Sequence, residues 1–148
     1  MQAFSANPLS GSRKIATWML IACGVWLIAL GIYFIFLRPP LLPEDPRFMG
    51  TTLAQIRVVV PGLESWLSRV FAVMGGFMAA SGVLTLFVAT VAMPQRLTGV
   101  AWVISLSGAL TVALMSATNF ALHSDFRWLL LVPALVWFAG VVCYIARR

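Results

Sequence analysis

Apolar residues fill the chain in four long blocks, and nearly every charge falls between them. The uncharged runs are 15–37, 70–95, 97–122 and 128–146. A spanning helix needs about 20 mainly apolar residues, and each run is close to or above that length. Open strands leave unpaired backbone groups in lipid, and a barrel demands alternating polarity that these runs lack. The pattern therefore predicts an all-α, polytopic membrane protein, a four-transmembrane-helix bundle in up-down-up-down order. Its helices are placed at about 15–37, 66–93, 97–119 and 127–146 of a single membrane domain, 1–148. Residues 1–14 read as a short polar tail.

The first block follows Arg13 and Lys14, as a signal peptide would. It is longer than an h-region of about 7–15 residues, and no small-x-small cleavage site follows it. It is read as a retained helix. The connections between blocks two and three, around Pro94 and Arg96, and between three and four, from Asn119 to Arg127, are short. They predict antiparallel neighbours.

Small residues recur inside the blocks. Gly24 and Gly31 are seven apart and share a helix face. Gly75 with Ala79, and Gly76 with Ala80, have small-xxx-small spacing. Ala101, Ser105, Ala109, Ala113 and Ala117 recur every four residues and form a ridge along the third helix. A pore lined by Ser105, Thr111 and Ser116 is the functional alternative, but close helix packing is the commoner use of such ridges. Pro133 predicts a kink in the fourth helix.

Composition sharpens the membrane reading. Of 148 residues, 61% are hydrophobic and 9% charged, against about 25% charged in soluble domains. The net charge of +6 comes from basic residues scattered at the ends of apolar runs. No basic stripe exists, so no nucleic-acid partner is expected. These residues suit orientation and contact with lipid head groups. Counting positives leaves the orientation tied, and the Arg13-Lys14 pair favours cytoplasmic termini. Cys23 and Cys143 are isolated in apolar runs and are read as packing residues. Scattered methionines, Met74 and Met78 among them, read as filler rather than copper ligands.

One stretch, 37–69, holds three of the four acids, four of the ten basic residues and five of the eight prolines. Pro39, Pro40, Pro43 and Pro46 are expected to hold 38–47 extended. Thr52 and Gln55 have capping-box spacing, so a short interfacial helix is predicted at about 53–59, with Leu53, Ile56 and Val60 toward the bilayer. Glu64 is placed in the first turn of the second spanning helix, where a carboxylate complements the dipole. The segment from Leu42 to Gly50, with an LPxDxxFxG-like pattern and Gly75-Gly76 downstream, resembles a segment of small uncharacterised bacterial integral membrane proteins. The resemblance covers about residues 42–82 and implies a bacterial membrane origin.

No acid, lysine, arginine or histidine lies in the middle of a run, which argues against a proton-coupled pump or a charged translocation path. A lone histidine excludes a bis-histidine haem, and no nucleophile motif accompanies it. No cofactor and no resident metal are expected. The candidate polar site is one face: Glu44, Asp45, Arg47, Arg57, Glu64, His123, Asp125 and Arg127. It could bind a lipid head group, an anion or a divalent metal on Asp45, His123 and Asp125. Alternatively its charges tether the two loops, with Asp125 paired to Arg47 or Arg57. Asn119 is expected to cap its helix or to bond across helices. The favoured reading is a small inner-membrane protein without catalysis of its own, acting through helix packing with itself or a larger membrane-protein partner. The alternative is binding or transport of a small molecule or lipid at the polar face.

Overall fold

Lipid cannot hydrogen-bond a backbone, so each apolar block closes its own ladder as a helix. The computed structural model describes residues 8–146. Helix α1 runs Pro8–Phe36, α2 Glu44–Phe48, α3 Leu53–Val59 and α4 Leu63–Phe87; α4 continues as a π-helical stretch, Val88–Ala92. Helix α5, Val100–Gly108, passes through a second π-helical stretch, Ala109–Ala113, into α6, Leu114–Ala121, and α7 runs Arg127–Ile145. No strand occurs among the described residues. Four helices are long and apolar enough to cross a membrane: Lys14–Phe36, Leu63–Ala92, Val100–Ala121 and Arg127–Ile145.

Two expectations from sequence need correction. Helix α1 begins at Pro8, so 8–14 are helical rather than tail, and 1–7 lie outside the described residues. Arg147 and Arg148 also lie outside them. The proline-rich stretch is not extended throughout, because α2 occupies Glu44–Phe48. Pro46 sits in its first turn, where backbone N–H groups have no intrahelical partner anyway, so proline costs no hydrogen bond.

Three helices end on one device. Gly50, Arg96 and His123 each take positive φ, +68°, +52° and +52°. In each case the next residue donates back five positions: Thr51 N–H to the Pro46 carbonyl at 3.0 Å, Leu97 to Ala92 at 3.4 Å, Ser124 to Asn119 at 3.0 Å. This is the Schellman ending, which satisfies terminal carbonyls. Glycine is the usual residue there; at two of the three ends a polar side chain carries the left-handed strain instead.

The bundle is built on α1. Helix α4 packs along one side of it and α7 along another, while α5–α6 lie against α7. The α1–α4 contact is antiparallel. A Cβ on Gly31 would stand 2.6 Å from the Gly75 carbonyl oxygen and from the Ala79 nitrogen. A Cβ on Gly82 would stand 2.6 Å from the Gly24 carbonyl oxygen. Backbone therefore meets backbone at two levels, seven residues apart on each helix, a distance only glycine permits. Gly76 has no heavy atom within 4 Å of such a position.

The buried cluster lies toward the α4–α5 turn: Ala16, Leu20, Cys23 and Leu27 of α1, Ala89, Ala92 and Met93, Val100 and Ile104, Val112, and Trp137 and Tyr144 of α7. Trp137 locks α7 to α5. Its indole N–H donates to the Ile104 carbonyl at 2.8 Å, and its ring fills the space that a Gly108 side chain would take. Several hydroxyls in the spans bond within their own helices. Thr85 donates to the Ser81 carbonyl at 2.8 Å, Thr90 to Leu86 at 2.7 Å and Thr111 to Ser107 at 2.6 Å. The Cys23 thiol reaches the Pro133 carbonyl across to α7 at 3.5 Å. Among the described residues, the Trp26 indole N–H is the buried side-chain donor without a partner.

The glycine contact makes a paired prediction. Gly75→Ala forces the α1 and α4 backbones apart and should destabilise by about 1–3 kcal/mol, the usual cost of overpacking. Gly76→Ala, one residue away, should be neutral or slightly stabilising. Thermal unfolding in mild detergent compares the two; equal midpoints would contradict the contact.

Candidate functional site at the loop end

The polar residues singled out in the sequence gather at the end of the bundle formed by the 37–62 connection and the α6–α7 turn. They form separate pairs rather than one pool. Glu44, at the start of α2, reaches the α6–α7 turn: its Oε1 accepts from the Ser124 hydroxyl at 2.9 Å and its Oε2 from the Asp125 N–H at 2.8 Å. Ser124 is only 2% exposed. Arg47, one turn further along α2, pairs with Asp125 at 2.9 Å, both side chains well exposed. Of the two partners weighed for Asp125, Arg47 is the one it has. Arg57 pairs with Glu64 instead, through Nη2 at 3.1 Å and Nε at 3.2 Å, which staples the end of α3 to the first turn of α4.

Arg38 was absent from the candidate set, yet it is the most enclosed charge here. Its side chain is 10% exposed. The guanidinium lies 3.6 Å from the Phe71 ring centroid and 5.3 Å from that of Phe34. It donates to the Pro39 carbonyl at 2.9 Å and stands 3.8 Å from Asp45. Burial lowers its pKa from the ordinary arginine value, and the nearby Asp45, Tyr33 and Glu44 act in the opposite direction. The signal was present in the sequence: Phe34 precedes Arg38 by four positions, one helical turn, and long cations cover aromatic faces at that spacing. Asp45 turns back on its own loop and accepts from the Leu42 N–H at 2.7 Å.

His123 is exposed and serves as the left-handed residue ending α6. Arg127 opens α7 and forms no ion pair among those described. Asn119 neither caps nor crosses helices; its amide donates to the Met115 carbonyl one turn back at 2.9 Å. The capping box is present at α3: the Gln55 N–H donates to Thr52 Oγ1 at 3.3 Å, and the Thr52 N–H to Gln55 Oε1 at 3.2 Å. Ile56 is buried, whereas Val58 and Val59 are 82% and 77% exposed. The α3 face carrying Ile56 thus turns to protein, and the valines carry the outward face. No cluster of three or more His, Cys, Asp or Glu side chains suited to a metal occurs among the described residues.

The helix-packing candidates divide. Gly75 and Ala79 meet Gly31, whereas Gly76 and Ala80 are exposed. Ala101 and Ser105 are half-buried, and Ala109, Ala113 and Ala117 are exposed. The ridge that α5–α6 turn inward is the adjacent one, Val100, Ile104, Gly108, Val112 and Ser116, all buried.

Chemically the loop end is a set of ion pairs and anchored carboxylates that tie loops together. Searches against protein-family models, curated proteins and solved structures gave no match for the chain.

Three expectations follow from this arrangement. Glu44→Ala strips the buried Ser124 hydroxyl of its acceptor and should cost about 1–3 kcal/mol, with faster amide exchange at Asp125. Arg47→Ala removes an exposed pair and should cost under about 1 kcal/mol. His123→Gly should hold or raise the unfolding midpoint, since glycine relieves left-handed strain worth roughly 1–2 kcal/mol. A drop in that midpoint would mean that the imidazole does more than end α6.

Proposed function

We propose that this is a small integral protein of a bacterial inner membrane, with cytoplasmic termini, that works by lateral association of its spanning helices. One observation carries the reading. Ala109, Ala113 and Ala117 form an exposed four-residue ridge, while the bundle's own packing uses the neighbouring ridge from Val100 to Ser116. Lipid tails are as apolar as leucine, so a small ridge gains nothing from lipid that it could not gain with larger side chains. It does allow another helix to approach closely. The ridge begins on the π-helical stretch Ala109–Ala113, a distortion often found where a helix has a task beyond spanning. The partner helix belongs to a second copy or to a larger membrane protein. Orientation rests on the Arg13-Lys14 pair ahead of α1, and bacterial origin on the resemblance of the 42–50 segment.

The test is a single cysteine at Ala113 in a chain whose Cys23 and Cys143 are replaced by alanine, cross-linked in native membranes. A discrete adduct is expected, at twice the chain's mass for self-association or heavier for a partner. Ala113→Leu, at an exposed position, should leave the fold intact and prevent association. Reaction no stronger than that of a control cysteine at Leu110 would remove the basis for this reading.

A further inference from the structure

Helix α7 carries a proline in its interior, Pro133, and that proline is buried. Proline has no N–H, so the carbonyl four residues back, that of Leu129, loses its helical donor. In a helix that carbonyl lies beneath residue 133, on the face that Pro133 occupies. The face is turned to α1, since the Cys23 thiol donates to the Pro133 carbonyl at 3.5 Å. On α1 the Trp26 indole N–H is buried and unpartnered. An orphan acceptor and an orphan donor therefore stand in one seam of the bundle. We infer that a single buried water joins them, accepting from Trp26 Nε1 and donating to the Leu129 carbonyl. The inference is independent of the lateral-association reading.

Register brings the two groups to one level. A Cβ on Gly140 would stand 3.3 Å from the Met19 Cβ. Cys23 meets Pro133 further along α1 and further back along α7, so the two helices run antiparallel. Trp26 comes seven residues after Met19, and Pro133 seven before Gly140. Seven residues are close to two full turns, so Trp26 repeats the place of Met19 on α1 and Pro133 repeats that of Gly140 on α7. The neighbouring side-chain donors are spent, Cys23 on Pro133 and Trp137 on Ile104. An amide or indole left unpaired in an apolar medium carries a desolvation penalty. Trp26 makes no direct bond, so the bridge needs a molecule that both accepts and donates. Water does both and an acyl chain does neither. Ordered water is also one of the means by which a spanning helix tolerates the carbonyl that a proline frees.

The test is NMR of the full chain in lipid nanodiscs, with the tryptophan indoles labelled with nitrogen-15. Trp26→Phe identifies the Trp26 signal among the six. Trp137, bonded directly to a carbonyl in the core, is the dry reference. The Trp26 indole proton should resonate as hydrogen-bonded and show a cross-peak to water that Trp137 lacks. Pro133→Ala gives the Leu129 carbonyl an N–H of its own and takes the water's acceptor away. The Trp26 cross-peak to water should then fall severalfold, and the indole proton should move upfield. Trp26→Phe should lower the unfolding midpoint of the wild-type chain more than that of Pro133→Ala. A wild-type Trp26 indole with no cross-peak to water, or with one equalled at Trp137, overturns the inference. So does a Trp26 signal that is the same in folded Pro133→Ala. If Pro133→Ala does not fold, the comparison of Trp26 with Trp137 in the wild-type chain decides.

Discussion

Backbone-to-backbone contact between α1 and α4 is what the remainder of the molecule is hung on. In lipid there is no hydrophobic gain from pressing two apolar helices together, so attraction must come from close packing. Gly31 against Gly75 and Gly24 against Gly82 supply it at two levels, because neither side has a Cβ to hold the helices apart. The two helices then stay together toward the loop end, where Phe34 and Phe71 meet edge to face at 6.0 Å. Arg38 can lie on Phe71 only because that approach has already been made. A charge lying on an aromatic face at the membrane surface is thus a consequence of two glycine pairs further down.

The loop end inherits its form from this frame. Arg38 fixes the start of the connection, Glu44 joins α2 to the α6–α7 turn, and Arg57 with Glu64 fixes the end of α3. These contacts differ in weight. The exposed Arg47–Asp125 pair is screened by water and contributes little. Glu44 matters more, because the Ser124 hydroxyl that it receives is buried and has to be satisfied.

The interior of the spans is chemically quiet. Thr85, Thr90 and Thr111 each bond to a carbonyl one turn back, and Trp137 spends its donor on Ile104. Such back-bonds meet the requirement that lipid imposes on polar groups without creating a path for ions or protons. Ala109, Ala113 and Ala117 lie exposed on the outer surface of the spans.

Much of this was legible in the chain alone. Length and charge spacing are one-dimensional quantities, and lipid converts them directly into helices; that is why four spans, the capping box at Thr52 and Gln55, and the Arg47–Asp125 alternative could be read in advance. Face assignment could not. Two ridges one residue apart, Val100–Ser116 and Ala101–Ala117, have the same period, and only the positions of α1 and α7 decide which is buried. The same holds for Gly75 against Gly76. Prolines suggested an extended loop, yet helix starts tolerate proline, and α2 forms because Glu44 finds Ser124 eighty positions away. Local sequence determined which segments cross the bilayer, since backbone in lipid has one solution. Tertiary structure decided which face of each helix is shared, because that depends on which surfaces can approach within a glycine's distance.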